Sequence, residues 1–323
     1  MALLVGCGGD STAPTSNATT VAASFTNLPA LNLATEGSYQ AWVVDRGGTP
    51  QSLGRWTGTP ASVILPLPSK ISNDAELWVT LEPPGDADTT PSAQKILRGG
   101  FRDGQAELTV VGALTQSGLK LRERPGQFTM FSPSDNALHG YPSFEESGVW
   151  LFNMLPRSTD QGDMWVRLSQ LDAGWTYEGW MVRDIDQPNA IWLSYGKFVP
   201  DYTGAINARD DTGWGPFSGV TDFRTLGEEE FPGDDWISNP LNLPFPKDLT
   251  LPLNLRETNA SGQLRWTHVI TIEPASNRGE PIGSERPFTI RPYRDLFGTG
   301  APGTARSITY RADGVPSGRA ELR

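Results

Sequence analysis

The stretch Trp175-Thr176-Tyr177-Glu178-Gly179-Trp180-Met181-Val182, followed by Leu193-Ser194-Tyr195-Gly196-Lys197-Phe198, has a copy upstream. The copy is Ser38-Tyr39-Gln40-Ala41-Trp42-Val43-Val44, then Gln51-Ser52-Leu53-Gly54-Arg55-Trp56. Both read Tyr-x-x-Trp-x-Val, then Ser-x-Gly, a basic residue and an aromatic. A second pair goes with the first: Val79-Thr80-Leu81-Glu82-Pro83 and Ile270-Thr271-Ile272-Glu273-Pro274. Matched blocks in the same order point to an internal duplication. Trp42 is expected to overlie Trp180, and Glu82 to overlie Glu273.

Working outward, the segments read as strands. Residues 39–45 alternate between two differently buried faces, and Asp45-Arg46-Gly47-Gly48 supplies a hairpin turn. Pro83-Pro84-Gly85-Asp86 ends the strand before it, because proline cannot donate to a ladder. With 35 Gly and 27 Pro in 323 residues, and no long stretch of helical apolar spacing, the chain is expected to be all-β. The reading is two tandem antiparallel β-sandwich modules, 24–112 and 120–323. The second is expected to close with a hairpin of Thr304–Tyr310 and Arg319–Leu322 across Asp313-Gly314.

The copies differ in one spacing. Gly54 to Glu82 spans 28 positions and Gly196 to Glu273 spans 77, so the second module carries an insertion at about 201–258. Residues 201–236 hold nine acids against Arg209 and Arg224, together with Trp214 and Trp236. Long loops in compact domains are functional or disordered. Here the indoles and the Leu241–Leu255 run predict an anchored flap, since burying each large side chain gains roughly 1.5–3 kcal/mol. The acids around Glu228-Glu229-Glu230 are expected to stay in water. Trp214, Trp236, Asp234 and Asp235 are the candidate binding surface. Asp210, Asp211, Asp234 and Asp235 could offer oxygen ligands to Ca²⁺, although no EF-hand or nonapeptide spacing is present; a solvated acidic loop is the preferred reading, and no cofactor is expected.

The only cysteine is Cys7, which rules out an intrachain disulfide and a Cys-based zinc site. Leu4-Val5-Gly6-Cys7 resembles a bacterial lipobox, so residues 1–7 read as a shortened lipoprotein signal with lipidation at Cys7. Residues 8–23, rich in Ser, Thr, Ala and Asn, read as a flexible tether. Gly8 after the cysteine, in place of Asp, is the usual sorting pattern for an outer membrane. No apolar run approaches the roughly 20 residues that span a bilayer, so a lipid anchor is the expected membrane contact. The net charge of −11 argues against nucleic acid.

The motifs resemble a known family. Tyr-Glu-Gly-Trp-x-Val, Ser-x-Gly-Lys-Phe and Thr-Ile-Glu-Pro are similar to the extracytoplasmic domain of anti-sigma-K factors, and to bacterial lipoproteins that carry this domain alone. Phe128-Thr129-Met130, Ser147-Gly148-Val149-Trp150, Phe231-Pro232-Gly233-Asp234-Asp235-Trp236 and Pro287-Phe288-Thr289-Ile290 add to the likeness. It covers about 120–315 well and 24–112 more weakly. The resemblance implies a β-sandwich module and no particular activity. A true anti-sigma factor joins a helical sigma-binding domain through a membrane helix; with two histidines and no such helix here, sigma regulation is not carried over.

Catalytic chemistry is hard to assemble. Glu82 and Glu273 would have to converge to act as an acid/base pair. As equivalents in separate modules, each reads as a carboxylate bonded to a neighbouring loop. His268 beside Trp266 reads as a satisfied core histidine, and His139 has no partner at a recognisable spacing. No Gly-x-Ser-x-Gly elbow or phosphate-cradling loop is present. The expected protein is a non-catalytic envelope lipoprotein that binds or scaffolds a protein or envelope glycan. The alternatives are a carbohydrate-binding module using exposed Trp, and a structural subunit of an extracellular assembly joined at sheet edges.

Overall fold

A computed structural model describes residues 15–58, 62–135, 143–151, 166–200, 209–210, 217, 232–275, 286–298 and 300–323. Among these the fold is all-β, with antiparallel sheets and short 3₁₀ turns. The strands in chain order begin with β1 (Thr20–Thr26), β2 (Ser38–Val44), β3 (Gln51–Trp56), β4 (Ser62–Pro66), β5 (Glu76–Glu82), β6 (Lys95–Gly100) and β7 (Gln105–Leu108). Next come β8 (Gln127–Phe128), β9 (Gly148–Trp150), β10 (Trp175–Arg183), β11 (Ile191–Val199) and β12 (Arg209–Asp210). Last are β13 (Gly233–Asp235), β14 (Trp266–Pro274), β15 (Tyr293–Leu296), β16 (Arg306–Ser307) and β17 (Ser317–Leu322).

The chain divides into two compact units. Unit 1 runs to Val110 and takes back Pro316–Arg323; unit 2 is Val111–Val315. Unit 1 stacks a sheet of order β3-β2-β5-β6 with one of order β4-β1-β17-β7. Its core lies where Tyr39, Ala41, Val43, Val79 and Leu81 meet Val21, Ala23, Ala106 and Leu108, all buried. Unit 2 builds β12-β11-β10-β14-β15, with the short pairs β16-β8 and β13-β9 beside it, linked by a Thr129–Trp150 bridge.

The expected closing hairpin does not form. Arg306–Ser307 pairs with β8, and β17 returns to unit 1, pairing with β1 on one side and β7 on the other. Size explains the fit. Ala320 sits opposite Ala23 and Ala106, so three methyl groups share one row. A Cβ on Gly318 would lie 2.6 Å from the Ser24 carbonyl oxygen, which only glycine avoids.

Candidate functional site

The repeated motifs build one polar face twice. In unit 1, Ser38 pairs with Glu82 and Ala41 with Val79; in unit 2, Thr176 pairs with Glu273 and Gly179 with Ile270. Across the other edge, Tyr39, Gln40 and Ala41 face Trp56, Arg55 and Gly54. Tyr177, Glu178 and Gly179 likewise face Phe198, Lys197 and Gly196. Both ladders then slip at the same place, between Ala41 and Trp42 and between Gly179 and Trp180. The bulge explains the Ser-x-Gly motif, because Gly54 (φ 146°) and Gly196 (φ 115°) take backbone angles that side chains resist.

A hydrogen-bond chain crosses each face. The Trp42 indole donates to Thr80 Oγ1 at 2.8 Å, and the Trp180 indole to Thr271 Oγ1 at 3.0 Å. Each threonine hydroxyl passes its own hydrogen to the glutamate two residues on, Glu82 or Glu273. The carboxylate then accepts a backbone N–H of the next segment, Ser92 at 3.2 Å or Phe288 at 2.7 Å. Both glutamates are buried, and burial is tolerable because the charge is met by donors. They sit in separate units and fasten separate loops, the structural role expected of them.

A second polar group lies on the same face. Gln40 donates to Ser52 Oγ at 2.7 Å and accepts from Arg55, whose guanidinium also holds the Asp86 carboxylate and the Asp86 carbonyl at 2.6 Å. In unit 2 the same positions are Glu178, Ser194 and Lys197. Ser194 donates to Glu178 Oε1 at 2.7 Å, and Lys197 Nζ lies 3.9 Å from Glu178 Oε2, with both charges buried. The Ser-x-Gly-basic half of each triad was visible in the motifs, but its pairing with Gln40 or Glu178 on the neighbouring strand was not.

The opposite face of β10 and β14 is the core of unit 2. Tyr195 and His268 share a 2.8 Å hydrogen bond between the hydroxyl and Nε2. Desolvation pushes the imidazole down to about 3 and raises the phenol well above its usual value, so both are neutral near pH 7. His268 is a core histidine, as expected.

Of the expected site residues, Cys7, Trp214 and Asp211 lie outside the described residues. Asp210 pairs with Phe198 in the ladder. Asp234, Asp235 and Trp236 were expected on a binding surface and are instead fully buried. Asp235 accepts the Ser134 N–H at 2.8 Å, and Asp234 accepts the N–H groups of Asp235 at 2.8 Å and Phe217 at 3.3 Å. Trp236 is tied by backbone bonds to Ser147 and Leu253. Backbone donors replace water here, so a carboxylate-rich turn enters the interior. Leu253 and Leu255 are buried with Trp236, which gives the insertion the anchor expected of it; Leu241 is exposed. Glu228, Glu229 and Glu230 lie outside the described residues. Among the described residues, no group of three or more His, Cys, Asp or Glu is placed to hold a metal ion.

Residues 8–95 match a family model described as anti-sigma-K factor rskA, C-terminal. The first part of the chain is therefore similar to an anti-sigma-K factor-like domain. The match includes the first copies of both motifs, where the likeness was read as the weaker of the two. No curated protein and no solved structure matches the chain.

Proposed function

We propose that the chain is a non-catalytic protein-interaction module of the bacterial envelope, formed by duplication of one anti-sigma-K factor-like sandwich and lipid-anchored through Cys7. The observation that carries this reading is the shared register of the two polar faces, in which Trp, Thr and Glu are consumed in fastening loops. The family match supports a protein partner in general. The lipobox and tether around Cys7 support an outer-membrane address, on either face, where a protein or envelope glycan would be met.

Exposed tryptophan does not support the carbohydrate alternative. Among the described residues, Trp42, Trp150, Trp175, Trp180, Trp236 and Trp266 are buried, and Trp56, Trp78 and Trp192 are half-buried beneath other side chains. In vivo cross-linking of the chain expressed with a complete signal sequence tests the proposal. Specific protein adducts and a diacylglyceryl-modified Cys7 in mass spectra are expected. An unmodified, freely secreted chain that cross-links only to glycan would overturn it.

A further inference from the structure

One pocket runs against the charge of the whole chain. Unit 2 has an open pocket of about 320 Å³ lined by Ile185, Val269, Thr289, Arg291, Arg294 and Arg311, with Asp313 and Gly314 at its edge. In a chain of net charge −11, three guanidinium groups against one lining carboxylate, Asp313, are a local excess of positive charge. Arg291 is the best held. Its guanidinium lies over the Trp192 ring, 4.4 Å from the centroid, and its Nε donates to the Phe288 carbonyl at 3.3 Å. Its two terminal nitrogens donate to no described protein group. The Thr289 hydroxyl is buried and has no hydrogen-bond partner. Arg294 is paired with Asp186, and Arg311 with Asp313 at 2.8 Å; both aspartates are about two-thirds exposed. Exposed pairs of that kind are weak and exchangeable.

Unit 1 shows what the same positions look like when their charge is met internally. Leu81 and Ile272 hold equal places in their ladders and bond to the carbonyls of Gln94 and Ile290, so Arg291 and Arg294 correspond to Lys95 and Arg98. Arg98 donates to both oxygens of Glu76 at 2.6 Å. Counting along β5 and β14, the residue matching Glu76 is Thr267. The strand carboxylate that holds Arg98 in unit 1 is therefore a threonine in unit 2, where Arg294 takes the exposed Asp186 of another segment instead and Arg311 is added.

We propose that this pocket binds a carboxylate from outside the chain, the acidic side chain of a partner protein. The proposal rests on the protein-interaction reading above. A carboxylate is planar and offers two oxygens, which a guanidinium fixed on an aromatic ring meets in a two-point pairing. Ile185 and Val269 give the aliphatic stem of a glutamate an apolar wall, which inorganic phosphate could not use. Asp313 competes for the same arginine.

The test is an NMR titration of the whole chain with capped glutamate (N-acetyl-glutamate α-amide), capped glutamine and inorganic phosphate, at constant ionic strength. Saturable shifts of the arginine Nε–H signals and the Trp192 indole are expected with capped glutamate. Weakening by about tenfold or more is expected with capped glutamine and in Arg291→Ala, and Arg291→Lys should not rescue it. Arg311→Ala, at an exposed position that leaves the fold alone, should also weaken binding, and Asp313→Asn should strengthen it. Equal shifts with glutamine, tighter binding of phosphate, or indifference to both arginine substitutions would overturn the assignment. Cross-linking separates the two claims. A captured partner indifferent to Arg311→Ala overturns the pocket and keeps the protein-interaction reading. Carboxylate binding by a chain that captures no protein supports the pocket and removes that reading.

Discussion

Units 1 and 2 share a ladder and fill it differently. At the bulge, unit 1 has Ala41 on one strand and Leu53 on the next, with Leu77 alongside; unit 2 has Gly179, Tyr195 and His268 at those places. An apolar trio has become a glycine and a polar pair, with a hydroxyl–imidazole bond inside the core. Gly179 is the concession that makes room, because a Cβ there would overlap the Tyr195 ring. What both units keep is the backbone register, the bulge and the Trp–Thr–Glu chain. Register and bonding thus tolerate a rebuilt interior, provided the volumes are traded together.

The comparison breaks most easily at that trade. Gly179→Ala should destabilise unit 2 by about 3 kcal/mol, since the ring it strikes is held by His268. The reverse change, Ala41→Gly, should cost unit 1 only about 1 kcal/mol. In denaturant titrations, adding Tyr195→Leu to Gly179→Ala should recover much of the loss, as unit 1 already carries that pair. Additive effects would mean that the two interiors are not alternative solutions to one packing problem.

A second difference concerns strand supply. Unit 1 draws β17 from beyond unit 2 and lays it between β1 and β7, whereas in unit 2 β16 pairs directly with β8. Gly318→Val in β17 should therefore weaken unit 1 by about 2 kcal/mol through overpacking against Ser24 and Phe25. Hydrogen exchange would report it as lost protection in β1 and β7, with β10 and β14 unchanged. Equal loss in both units would show that they unfold together.

The shared feature can be tested by an identical cut in both copies. Thr80→Val and Thr271→Val each strand a buried indole N–H and remove a donor from a buried carboxylate. Each should cost about 2 kcal/mol. Calorimetric values that differ widely would show that one chain of bonds is ornamental.

The repeated ladder was legible because each motif residue has a local job. Tyrosine reaches a carbonyl (Tyr39 to Pro29, Tyr177 to Ser169, both 2.9 Å), tryptophan reaches threonine, and glycine permits the bulge. The destination of β17 was not legible. Its small alternating residues fit many sheets, and its partners lie more than 200 positions away. Asp234 and Asp235 were misread because acid density suggests water, while burial depends on backbone donors contributed by residues such as Ser134 and Phe217. The arginine pocket combines four separate segments, around Ile185, Val269, Arg291 and Arg311, that no spacing rule joins.

The smallest expected effect is a pH dependence confined to unit 2. Burial, with Asp135 and Glu146 nearby, raises Glu145 from 4.5 to about 7 although the Ser132 N–H opposes the shift. Glu145 Oε1 is buried without a partner. A raised carboxyl holds its proton in the folded state after the unfolded chain has released it. Its stabilising contribution is therefore full below about pH 4.5 and is lost as pH rises through about 7. Burial likewise raises Asp295 to about 6, with the same sign. His268 has the opposite sign. Lowered by desolvation to about 3, it contributes fully above its ordinary value of 6.5 and loses that contribution as pH falls towards 3. Other carboxylates titrate over the same range, among them Asp184, held down by Arg265, so the comparison needs Glu145→Gln. Because Glu145 is only half-buried, solvent screening keeps its share to about 1 kcal/mol or less. The melting temperature of wild type relative to Glu145→Gln should rise as pH is lowered from about 7 to about 4.5, with unit 1 amides unaffected in hydrogen exchange. Parallel profiles for the two proteins would show that Glu145 does not carry a proton in the fold.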